Sequence, residues 1–163
     1  MRTPALIAVL ALFSLPLGAC GFTPLYAAPG VSPGLSAVET IAPEGRTGAL
    51  LRESLDDALA RDARPAEWRL ELVLKESRIP RGRRPDGVAS RYEYVVTANW
   101  KLVSRADGST ALEGVSVAEV TFDRAEQPYA AIAAQQDAEQ KVADELARKI
   151  QMDLAVWMLR RTG

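Results

Sequence analysis

The chain has 163 residues, with 20 Lys plus Arg, 21 Asp plus Glu, no histidine and one cysteine. That length suits one domain with a real core, and 48% hydrophobic with 25% charged residues is globular composition, not wholesale disorder or a multi-span membrane protein. A net charge of −1 offers no general pull on nucleic acid. Lacking histidine and any second thiol, the chain lacks the commonest general base, an internal disulfide and a multi-thiolate metal site, so composition leans against an enzyme.

The N-terminus carries targeting chemistry. Met1-Arg2-Thr3-Pro4 is a short positive start, and the apolar run from Ala5 to Leu15 that follows is too short to span a bilayer, which takes about 20 residues. It suits the hydrophobic region of a secretory signal. After Pro16, the stretch Leu17-Gly18-Ala19-Cys20 resembles a bacterial lipobox. In such signals the leader is cut ahead of the cysteine, the thiol is diacylated and the new amine is acylated. A buried core helix and a packed core thiol are the competing readings. Neither explains why the only cysteine closes an apolar run that begins with Arg2. Residues 1–19 are therefore expected to be a cleaved lipoprotein signal peptide. Cys20 is the expected lipid-attachment site, bearing an S-diacylglycerol and an N-acyl (palmitate-type) chain, with no other cofactor. Gly21 rather than Asp follows it, which in enterobacterial-type sorting favours the outer membrane, so the expected location is lipid-anchored there and facing the periplasm.

Gly21, Pro24, Pro29, Gly30, Pro33 and Gly34 mark residues 20–35 as a Pro/Gly-rich tether, not a packed element. Residues 36–163 then form one domain. Ser36 to Ile41 is β-prone and closed by Pro43. From Arg46 the spacing is helical, with Leu51, Leu55, Ala58 and Leu59 on one face and Arg52, Glu53, Asp56 and Asp57 on the other, until Pro65. Strict alternation follows: Trp68, Leu70, Leu72 and Leu74 share one side of a strand, then Tyr92, Tyr94, Val96, Ala98, Trp100 and Leu102 share a side of the next. Asp107-Gly108 is a tight-turn signal. The strand from Thr110 to Phe122 is less regular; Leu112, Val120 and Phe122 are in phase but Val115 and Val117 are not, so Gly114 is a candidate bulge and the register stays open. From Pro128 to Arg161 a long helix carries the stripe Tyr129, Ile132, Val142, Leu146, Ile150, Leu154, Trp157 and Met158. The order β-α-β-β-β-α predicts an α+β, two-layer sandwich: a roughly four-stranded sheet covered on one face by two helices.

The start Cys20-Gly21-Phe22-Thr23-Pro24-Leu25-Tyr26, joined to this element order, resembles the lipopolysaccharide (LPS) assembly lipoprotein family LptE in its alphaproteobacterial form. The segments Val120-Thr121-Phe122-Asp123, Pro128-Tyr129-Ala130, Ala134, Asp137-Ala138 and Leu146-Ala147-Arg148-Lys149-Ile150 are similar to that family's last strand and helix. The resemblance implies a non-enzymatic outer-membrane lipoprotein that assists assembly of the LptD β-barrel translocon, sits in its lumen, binds LPS and supports its transport. The implied partners are an LptD-like barrel, LPS and the membrane, with no nucleic acid.

One compositional anomaly accompanies this. Between 75 and 91 stand Lys75, Arg78, Arg81, Arg83, Arg84 and Arg91 against only Glu76 and Asp86. Arginine forks suit lipid A or core phosphates, so Arg78, Arg81, Arg83, Arg84 and Arg91 are the LPS-binding candidates. Charge runs are more often solvated faces, so the competing reading is a solvated loop between strands, or a patch that pairs with acidic barrel residues. No catalytic and no metal residues emerge: Asp56 and Asp57 point about 100° apart on a helix, and no serine lies in a nucleophile elbow. Trp68, Tyr92, Tyr94, Trp100 and Trp157 at regular spacing read as core, and Tyr129 as a partner contact. A stand-alone envelope lipoprotein that binds another anionic or glycolipid ligand is the alternative function.

Overall fold

The computed structural model describes residues 25–83 and 89–162. After a 3-10 turn at Leu25–Ala27 come α1 (Val31–Ser36), β1 (Val38–Ile41), α2 (Arg46–Ala58), β2 (Trp68–Arg83), β3 (Ala89–Ser104), β4 (Thr110–Asp123) and α3 (Pro128–Thr162). The sheet order is β1-β2-β3-β4; β1 runs parallel to β2, and the other neighbours are antiparallel. This is the expected α+β sandwich, with an extra short helix ahead of β1.

Alternation builds the buried layer. Leu70 and Leu72 of β2, Tyr94, Val96, Ala98, Trp100 and Leu102 of β3, and Ala118 of β4 all face the helices. Leu51 and Leu55 of α2, with Val142, Leu146, Ile150 and Leu154 of α3, close over them. Each fully buried Leu or Ile contributes roughly 1.5–3 kcal/mol relative to exposure. The opposite face stays open, with Val73 68% and Val115 62% exposed in a frame of charged residues. The Asp107-Gly108 turn forms as read: Gly108 takes φ 73°, and Asp107 accepts from Ser109 N at 3.1 Å.

Four expectations need correction. Residues 25–35 are not a free tether, because α1 buries Val31 and Leu35. Pro33 is harmless in a first helical turn. A Cβ on Gly34 would lie 2.7 Å from Met158 Sδ, so that glycine permits close packing and does not mark a linker. Second, the arginine-rich stretch is not mainly a loop: β2 runs to Arg83 and β3 starts at Ala89, a hairpin extended beyond the core. Third, Gly114 is not a bulge. It pairs with Trp100, and Leu112, Gly114, Ser116, Ala118, Val120 and Phe122 keep one phase; the irregularity lies where Leu102 pairs with Leu112 and Val103 with Thr110. Fourth, the apolar stripe of α3 is not buried throughout. Tyr129 is 86% and Ile132 54% exposed, because the first turns of α3 overhang the core.

Candidate functional site

The basic candidates divide by the face on which strand parity places them. In β2 and β3 even-numbered residues face the helices and odd-numbered ones the open side. Arg81 and Arg91 are therefore on the open face, where each has a carboxylate: Arg81 pairs with Glu93, and Arg91 Nε lies 2.8 Å from Asp123 Oδ1. The bond to Glu93 holds the Arg81 guanidinium charged more firmly than usual. Arg83 belongs to the same strand, paired with Ala89, while Arg84 and Cys20 lie outside the described residues.

Of the candidates among the described residues, only Arg78 is on the helix-covered side, near the end of the sheet where the overhanging part of α3 crosses it. It lines a cleft of about 460 Å³ with Tyr92, Phe122, Asp123, Arg124, Ala131 and Gln135. Tyr92 and Phe122 stack with ring centroids 5.8 Å apart, giving the cleft an aromatic wall. Arg78 and Arg124 are exposed and have no carboxylate partner among the described residues. Two unneutralised guanidinium groups beside an aromatic wall suit a ligand with phosphate and apolar parts. Arg124 escaped the sequence reading because it stands alone beyond the basic run; its one signal was its place at the junction of β4 and α3. Trp68, Tyr94, Trp100 and Trp157 are packing residues as expected, and Tyr129 is free on the surface.

A polar bridge fixes the helices beneath this cleft. Glu139, buried on α3, accepts from Arg46 Nε and from Gln135 Nε2, both at 2.7 Å. Thr47 at the start of α2 shares a hydrogen bond with the Tyr94 hydroxyl at 2.9 Å, and Tyr94 donates to Glu76. Arg46→Ala would leave a buried carboxylate without its cation, whereas Glu139→Ala releases Arg46 to water. Arg46→Ala is thus expected to cost about 2 kcal/mol and Glu139→Ala about half of that, with the double variant less than additive. Urea unfolding of the three variants checks this; equal and additive costs would contradict the bridge.

Among the described residues no group of three or more Cys, His, Asp or Glu is placed to hold a metal, and no helix is long and apolar enough to cross a membrane.

Solved structures similar to this two-layer domain include chains described as lipoproteins. A crystallised chain from Caulobacter crescentus CB15, described as a lipoprotein, is 50% identical, with a TM-score of 0.71 over 81% of this chain and 97% of that one. A minor lipoprotein from Acinetobacter baumannii (12% identity, TM-score 0.54, 73% and 88% covered) shares the fold, as does a lipoprotein B from Nitrosomonas europaea (14%, 0.55, 74% and 82%). The family model LptE, described as lipopolysaccharide-assembly, matches residues 35–154, and the chain belongs to that family. No curated protein matches it.

Proposed function

We propose that this protein is an outer-membrane lipoprotein, anchored through acylated Cys20 and facing the periplasm, that assists assembly of an LptD-like β-barrel, plugs its lumen and supports delivery of LPS through it. Residues 1–19 are the cleaved signal. Its role is to bind and position, with no chemical step. Family membership supports the envelope role. The observation that carries LPS contact is the pair Arg78 and Arg124, without carboxylate partners among the described residues and beside the Tyr92–Phe122 wall.

Within that cleft the arginines take anionic phosphate oxygens bidentately, and the aromatic wall takes the start of an acyl chain or a sugar face. Arg81 and Arg91, already engaged by Glu93 and Asp123, contribute less. The double reversal Arg78→Glu with Arg124→Glu is expected to weaken LPS binding at least about tenfold, and Arg81→Glu less than about threefold. Displacement of labelled LPS from the purified protein measures both. Equal losses would remove the cleft from the reading and return the whole hairpin to consideration.

A further inference from the structure

The packing of residues 25–36 shortens the leash on which the domain hangs. Five peptide steps separate Cys20 from Leu25, and a chain of that length reaches at most about 18 Å. Leu25 packs against the core, Ser32 Oγ donates to Tyr26 O at 2.7 Å, and α1 seats Gly34 on Met158 near the C-terminal end of α3. An anchor at Cys20 therefore holds one particular end of the molecule close to its bilayer.

That end carries a cluster of indoles and guanidinium groups. Trp68 and Trp157 meet edge to face at 5.2 Å, and the Arg161 guanidinium lies 4.8 and 4.7 Å from their ring centroids. Arg160, exposed beside them, has no carboxylate partner among the described residues. The turn between β3 and β4 belongs to the same end, since Arg105 N donates to Glu67 O at 3.0 Å, next to Trp68. Cations at a helix C-terminus also suit the helix dipole. The two indoles pack one side on the core and are only partly buried, and tryptophan and arginine are both residue types that bilayer interfaces favour.

We propose that the end carrying Trp157, Arg160 and Arg161 lies against the anionic phospholipid headgroups of the bilayer that holds Cys20, and that the Arg78–Arg124 cleft is thereby set at the far end. Along α3, the 29 residue steps from Ala131 to Arg160 separate the two ends by about 44 Å. The proposal rests on the anchor reading, so the test keeps the two apart.

The acylated full chain, purified from envelopes, is first weighed intact, which reports the lipid on Cys20 by itself. If the mass shows none, the anchor reading fails; the Cys20 thiol is then coupled to a maleimide phospholipid and the orientation is tested unchanged. The protein is reconstituted in vesicles of phosphatidylethanolamine and phosphatidylglycerol containing a nitroxide-headgroup lipid, with a fluorescent amino acid in place of Ala106 or of Ala130. The expected result is quenching at 106 at least about five times that at 130, falling by about half or more with Arg160→Glu. Equal quenching at the two sites, stronger quenching at 130, or no response to Arg160→Glu overturns the proposal.

Discussion

Replacing Gly114 with valine is expected to lower the unfolding free energy by about 3 kcal/mol and the melting temperature by roughly 10 °C. The reason is local. Gly114 of β4 pairs with Trp100 of β3, and a Cβ at position 114 would lie 2.4 Å from Trp100 Cζ2 and 2.8 Å from Cε2. The indole cannot swing away, because it is buried and its Nε1 donates to Ser116 Oγ at 3.1 Å. Either the indole bond breaks or the β3–β4 pairing spreads. Gly114→Ala should cost about 2 kcal/mol in the native background but little beside Trp100→Leu, a coupling of roughly 1–2 kcal/mol. Urea denaturation of the four proteins in that cycle decides it, and additive costs would mean that the glycine serves something other than the ring.

Alkaline pH should expose the role of Tyr94. Burial pushes its hydroxyl up to about 12, with the neighbouring Glu76 adding to the rise and Thr47 opposing it. A folded-state value above the ordinary 10 means that the unfolded chain ionises first. The stability that Tyr94 contributes is therefore complete below pH 10 and is lost as the pH climbs to about 12, at about 1.4 kcal/mol per pH unit. Tyr94→Phe is expected to start about 1 kcal/mol less stable at neutral pH, having lost the bridge from α2 to Glu76. It should then lack this fall, so the two curves converge above pH 10 and cross before about pH 12, leaving the variant the more stable at the alkaline end. Chemical denaturation of both proteins across that window tests the point; parallel curves would show that Tyr94 does not titrate as described.

Much of the architecture is legible in the residues. Alternation from Trp68 to Leu74 and from Tyr92 to Leu102 placed the two central strands on the right face, and the spacing of Leu51 and Leu55 placed α2. Two features were hidden for definite physical reasons. The outer part of the β2–β3 hairpin has no apolar alternation, because cross-strand ion pairs such as Arg81–Glu93 take the place of packing there. Proline at position 80 is tolerated in the strand because β2 has there outrun β1 and has a neighbour on one side only. In α1 the same Pro and Gly content that reads as a linker comes from a first-turn proline and a glycine chosen for contact with Met158.

The site shows the same pattern at the level of single side chains. A run of arginines signals charge but not direction, and alternate residues of a strand face opposite ways. The hairpin geometry therefore separates Arg78, which joins Arg124 at the cleft, from Arg81 and Arg91, which carboxylates already neutralise. The alternation of Leu70, Leu72 and Leu74 separates them only once β2 is known to run on without a break to Arg83.

The most direct measurement is co-purification in gentle detergent of the C-terminally tagged protein from native envelopes, with mass spectrometry of what accompanies it. The proposed function predicts a large outer-membrane β-barrel in near equimolar amount that survives high salt, as a plug held by an extensive surface should. Recovery of the lipoprotein intact and folded with no barrel would contradict it, and would favour an independent binding module for an anionic or glycolipid ligand.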